Sequence, residues 1–93
     1  MAEEKTQLHA IVNGRVQGVS FRYYTTLHAA DLGVVGWVQN LPDGTVEILA
    51  EGTREQLEAM AEFLHHGPLG AQVISVDLQW DTATGKYTDF VIR

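Results

Sequence analysis

A chain of 93 residues is expected to form one domain, and folding it hides only about 60–65% of the surface that the unfolded chain exposes, so its core has to be efficient. With 45% hydrophobic residues and no cysteine, it has to build that core without a disulfide or a thiolate-metal clamp. A formal charge of −6 with only six Lys and Arg argues against a nucleic-acid partner, which needs a concentrated basic face.

The start, Met1-Ala2-Glu3-Glu4-Lys5, is polar and acidic, with no apolar run of the length a leader peptide or a membrane span requires. Residues 1–6 are expected to be a flexible lead into a single domain spanning 1–93, and the protein is expected to be cytoplasmic. From Gln7 to Asn13, Leu8, Ala10 and Val12 alternate with Gln7, His9 and Ile11, the period of two that marks a strand with one buried face. Gly14-Arg15-Val16-Gln17-Gly18-Val19-Ser20-Phe21-Arg22 then leads from that strand into a helix. Such a turn leaves backbone N–H groups unpaired at the helix start, and these groups together with the helix dipole attract an anion. Arg22 falls in the first helical turn, where a guanidinium can grip two oxygens of a phosphoryl or carboxylate group at once. Spacing alone leaves an oxyanion cradle and a plain tight turn both open. No Gly-Lys-Ser/Thr follows as in a Walker A loop, and the Gly-x-Gly-x-x-Gly of dinucleotide folds is absent.

Ser20 is expected to cap the first helix, with Phe21, Thr25, His28 and Leu32 as its inward stripe and Gly33 as its stop. Val34 to Leu41 and Thr45 to Glu51 read as two strands joined in a hairpin by Pro42-Asp43-Gly44. A second helix runs from Arg54 to His66, opened by a Thr53/Gln56 capping box, striped by Leu57, Met60, Ala61 and Leu64, and stopped by Gly67-Pro68. Ala71 to Trp80 and Lys86 to Ile92 are further strand-like runs. This order predicts an α+β domain, the ferredoxin-like α/β plait, with βαββαβ order plus a short final strand and two helices on one face of an antiparallel-rich sheet. The first crossover makes the first two strands parallel, so the 14–19 loop and Asn40 leave the sheet at the same edge and can face one ligand.

The remaining ionisable residues suggest no second centre. His65 and His66 suit the negative end of the second helix, and His9 and His28 have no metal-ligand spacing with a carboxylate. Glu47, Glu51, Glu55, Glu58 and Glu62 read as a solvated acidic face.

The 14–22 stretch resembles the signature of the acylphosphatases, small metal-free hydrolases of carboxyl–phosphate mixed anhydrides. Gly36-Trp37-Val38-Gln39-Asn40, followed by Asp43-Gly44-Thr45-Val46-Glu47 and Gly52, resembles that family's second signature, and Tyr87-Thr88-Asp89-Phe90-Val91-Ile92-Arg93 is similar to its C-terminus. The resemblance implies a hydrolase of small acyl phosphates in which Arg22 and Asn40 are catalytic. It also implies that Gly14, Arg15, Val16, Gln17, Gly18 and Val19 bind the phosphoryl group, mainly through their backbone. Arg22 is expected to bind bidentately, Asn40 to hold the attacking water through its carboxamide, and a substrate oxygen to accept the proton. No metal and no cofactor is implied, and a monomer is expected. Leu41 cannot supply the hydroxyl that some members carry beside the asparagine. The fold also occurs as a domain of large hydrogenase-maturation proteins, but this sequence lacks their added segments and is expected to be a free-standing enzyme. The alternative is a phosphate- or anion-binding module of the same shape without turnover. An RNA-binding plait is disfavoured because it would need a basic face and exposed strand aromatics.

Overall fold

Alternating apolar residues set the sheet. A computed structural model describes residues 4–93. Its elements are β1 (Lys5–Arg15), α1 (Phe21–Leu32), β2 (Val35–Asn40), β3 (Val46–Thr53), α2 (Arg54–His66), β4 (Gln72–Thr82) and β5 (Phe90–Ile92). The strands lie in the order β4-β1-β3-β2-β5. β1 pairs antiparallel with β3 and β4, β2 pairs antiparallel with β3, and β5 closes the edge parallel to β2. β1 and β2 therefore run the same way on either side of β3, as the crossover requires.

One sheet face, carrying Leu8, Ala10, Val12, Val38, Val46, Ile48 and Ala50, is buried under α1 and α2, whose contributions include Phe21, Ala29, Leu57, Met60 and Leu64. Two helices and a mixed five-stranded sheet in this order form the expected ferredoxin-like plait. The capping box of α2 is present: Gln56 N donates to Thr53 Oγ at 3.2 Å and Thr53 N donates to Gln56 Oε1 at 2.9 Å.

Several expectations need correction. Lys5 and Thr6 are not a loose lead, because they pair with Thr53 and Gly52 across the β1–β3 ladder; residues 1–3 lie outside the described residues. Ser20 occupies the N-cap position of α1 but adopts a left-handed conformation (φ 61°), and its side chain makes no capping bond. His28 is exposed and stacks on Phe63 at 3.9 Å, while Ala29 takes the inward position. The last strand is only Phe90–Ile92, and the segment before it is irregular.

The acidic residues of β3 are not a solvated face. Glu47 Oε2 meets His9 Nε2 at 2.7 Å across the strands, and its Oε1 accepts from Gln39 Nε2 at 2.6 Å. Glu51 is only 3% exposed. Its Oε2 accepts from Gln7 Nε2 (2.8 Å), Thr84 N (2.8 Å) and Thr84 Oγ (2.9 Å), and its Oε1 accepts from Gly85 N (3.1 Å). Burial raises the Glu51 pKa, but these donors outweigh it and hold the carboxyl below its ordinary value of 4.5. A depressed folded-state pKa means that the unfolded chain takes up the proton first, so this contribution is present above pH 4.5 and is lost as pH falls through the folded value. Glu51→Gln sets an amide N–H₂ against a ring of donors and should cost about 2 kcal/mol at neutral pH. Urea denaturation measures it: the gap between wild type and variant should narrow as pH is lowered below about 4.5. A gap independent of pH would mean that the charge of Glu51 contributes nothing.

Candidate active site

The end of the sheet where β1 and β2 finish is closed by two short connections. β1 runs on through Gly14 and Arg15, which pair with Val73 and Gln72 beyond a bulge at Asn13/Gly14. Gly14 (φ +134°) is required there because a Cβ would stand 2.0 Å from the Gln72 carbonyl oxygen. Gly14 and Arg15 are thus strand residues, and the connection proper is Val16 to Ser20. It turns into α1 through two left-handed residues, Gly18 (φ 76°) and Ser20. A non-glycine residue in that region costs on the order of 1 kcal/mol, a strain that has to be held in place by the surrounding structure.

The side chains of the connection provide the hold. Val16 is buried in the core and Val19 packs against it. Gln17 Nε2 donates to Leu41 O and to Thr45 O, both at 2.8 Å, and so pins the connection to the mouth of the β2–β3 hairpin. The same two carbonyls accept Gly44 N (3.1 Å) and Leu41 N (2.9 Å) within the hairpin. Asp43 Oδ1 stiffens its tip by accepting from Thr45 N at 3.0 Å and Thr45 Oγ at 2.6 Å. With the side chains committed elsewhere, the backbone is left for other work. Among the described residues, the N–H groups of Val16 to Val19 donate to no backbone carbonyl outside the regular elements and to no side chain. The first bond of α1 is Tyr24 N to Ser20 O at 3.0 Å, so the helix start has neither a side-chain cap nor an earlier helical bond.

Arg22, Asn40, Gly18, Ser20 and Val16 line one cavity of about 370 Å³, together with Phe21, Tyr23 and Ile92. Arg22 is half-buried, and among the described residues no carboxylate pairs with it. Asn40 ends β2, and its Oδ1 is buried without a hydrogen-bond donor. An acceptor left so costs about 1–3 kcal/mol, and this oxygen is free to receive an O–H or N–H from a bound water or ligand. The wall therefore offers unpaired amides, one permanent cation and one unsatisfied acceptor, a combination suited to an oxyanion with a water beside it.

Of the sequence candidates, Val16, Gly18, Arg22 and Asn40 share this cavity; Gln17 and Val19 support it from behind, and Gly14 and Arg15 lie in the strand leading to it. Tyr23 and Ile92 were not among the candidates. Ile92 comes from β5, whose place beside β2 has no signal in the periodicity of the chain. Among the described residues, no group of three or more His, Cys, Asp or Glu is placed to hold a metal ion, and no helix is long and apolar enough to cross a membrane.

The pin has a measurable consequence. Gln17→Glu would set carboxylate oxygens against two carbonyl oxygens. Because the hairpin still satisfies both carbonyls, the cost should fall mainly on geometry, and a displacement near 1 Å is expected to lower kcat by about 10–100-fold. Turnover and thermal unfolding measured side by side decide this. A large loss of kcat with a modest change in Tm supports positioning, and unchanged kcat contradicts it.

A family model described as Acylphosphatase matches residues 8–92. The Acylphosphatase of Bordetella parapertussis is 54% identical over 83 residues, covering 89% of this chain and 88% of the relative. That of Marinobacter nauticus is 51% identical over 82 residues, covering 88% and 89% respectively. The crystal structure of acylphosphatase from Bacillus subtilis superposes with a TM-score of 0.91 at 36% identity, covering 95% of this chain and 98% of that one.

Proposed function

The chain belongs to the acylphosphatase family and is a hydrolase of small acyl phosphates, and on that premise we propose how its residues divide the reaction. The phosphoryl oxygens are held by the backbone N–H groups of Val16 to Val19 and of the first turn of α1, and Arg22 binds two of them with its planar fork. Asn40 Oδ1 accepts a hydrogen bond from a water molecule and aims its oxygen at phosphorus. As the P–O bond forms, the bond to the bridging oxygen breaks and the carboxylate departs. The water's proton passes to a phosphoryl oxygen, and the products are carboxylate and inorganic phosphate.

The leaving carboxylate is a weak base and needs no strong acid, and the transferring group spreads its charge over equatorial oxygens that amides and a guanidinium match. Positioning and charge stabilisation are enough, so neither a metal ion nor a cofactor has a step to perform. The observation that carries this reading is the buried, donorless Asn40 Oδ1 in the same cavity as Arg22. It fits turnover, because a fully ionised phosphoryl group held by N–H donors offers no donor to that oxygen, whereas a water molecule beside it does. Continuous hydrolysis of benzoyl phosphate by wild type and Asn40→Ala is the test: turnover that depends on Asn40 supports the assignment, and equal turnover removes it.

A cytoplasmic monomer acting on a diffusible substrate completes the proposal. An acidic chain of charge −6 recruits its anion through a short-range, directional cradle rather than through a long-range positive field.

A further inference from the structure

We propose that the acyl end of the substrate is read by an apolar wall made of Tyr23 on α1 and Ile92 on β5, so that neutral aromatic or branched acyl phosphates are preferred over those carrying a second anion. This rests on the placement of the phosphoryl group at Arg22 and Asn40. Those groups line the cavity together with Gly18, Ser20, Tyr23 and Ile92, and the last two, about half exposed, stand at its opening to solvent. Both are large apolar side chains left half-open to solvent, Tyr23 54% and Ile92 47% exposed, at the edge of a cavity whose other apolar residues, Val16 and Phe21, belong to the core.

Neither rim residue hangs loose. Tyr23 meets Tyr24 edge-on at 5.4 Å between ring centroids, and Ile92 is fixed by the pairing of β5 with Val38 of β2. A phosphoryl group seated at the polar end leaves its acyl substituent to continue toward this rim, where a phenyl ring or branched chain removes apolar surface from water on both partners. Arg22 is the one charged residue lining the cavity, and the phosphoryl group already engages it. A carboxylate on the acyl end would find no cation there, on a chain whose overall charge is −6.

The experiment compares kcat/KM for acetyl phosphate, benzoyl phosphate and 4-carboxybenzoyl phosphate. Wild type should favour benzoyl over 4-carboxybenzoyl phosphate by about tenfold. Tyr23→Ala should lower the benzoyl-to-acetyl ratio about fivefold with the inhibition constant of inorganic phosphate held at its wild-type value, and Tyr23→Lys should raise the 4-carboxybenzoyl-to-benzoyl ratio about tenfold. Ile92→Ala repeats the first comparison from the other element. Parallel losses on acetyl and benzoyl phosphate, or ratios that stay at the wild-type value in the Tyr23 and Ile92 variants, overturn the acyl wall. Failure of the phosphoryl assignment reads out separately, as Arg22→Ala enzyme that still turns over and is still inhibited by phosphate.

Discussion

Asn40→Ala is expected to lower kcat for benzoyl phosphate by about 10²–10³-fold, the usual cost of removing one preorganised polar contact to a reacting group. The protein should not pay for that loss in stability. Asn40 Oδ1 accepts nothing within the fold, so truncation strands no partner and removes an unsatisfied buried acceptor worth about 1–3 kcal/mol. The variant should therefore unfold at or above the wild-type temperature while turning over poorly, the trade expected at a site held strained for function. KM should move little if, as proposed, the contact is to the water rather than to the phosphoryl group. An Asn40→Ala enzyme that lost stability and activity together would indicate a structural role for the carboxamide.

Arg22→Lys is expected to remain impaired by about 10²–10³-fold even though the charge is kept. An ammonium on a flexible stem presents a point charge, whereas the proposed contact uses a planar fork that grips two oxygens at once. Here kcat and KM should both worsen, and inhibition by inorganic phosphate should weaken in parallel, because the proposed contact would exist in the ground state and strengthen as charge spreads in the transition state. Arg22 pairs with no carboxylate among the described residues, so its replacement leaves no orphaned anion and the fold should persist. Near-normal turnover of Arg22→Lys would show that charge alone suffices and that the bidentate assignment is wrong.

That Arg22 and Asn40 share one cavity was legible from local pattern, topology and family resemblance together. A glycine-bearing turn between a strand and a helix, with an arginine in the first turn, left an anion site and a tight turn both open, the resemblance to the acylphosphatase signatures favoured the site, and strand–helix–strand topology put Asn40 at the same edge. What escaped was set by contacts across the sheet. Glu51 is buried because the Thr84–Gly85 segment, more than 30 positions away, folds back onto it, and a period-two pattern marks only which face it occupies. Glu47 finds His9 through the β1–β3 register, which spacing along one strand does not reveal. Gln17 read as part of the phosphate loop, yet its amide reaches two carbonyls of a hairpin 24 and 28 residues on.

Ser20 failed as a cap for a physical reason. Serine favours N-caps because its oxygen reaches the backbone N–H groups of the first turn, from an extended conformation. Here the entry into α1 requires a left-handed residue, and that geometry denies the hydroxyl its reach while leaving the first-turn amides without a cap. Local propensity gave way at the very segment where the site needs its donors, which is where such conflicts are expected. Ile92 escaped for a reason of the second kind: only the parallel docking of the three-residue β5 beside β2 brings it to the rim of the cavity.

The central claim is that the amides of Val16 to Val19 form a ready cradle for a tetrahedral dianion. Titrating inorganic phosphate into ¹⁵N-labelled protein measures it directly. The largest downfield amide-proton shifts should fall on Val16, Gln17, Gly18 and Val19, accompanied by the Arg22 Nε–H, with the core amides of β1 and β3 unmoved. Amides of the connection that stay in place while phosphate binds elsewhere would contradict it.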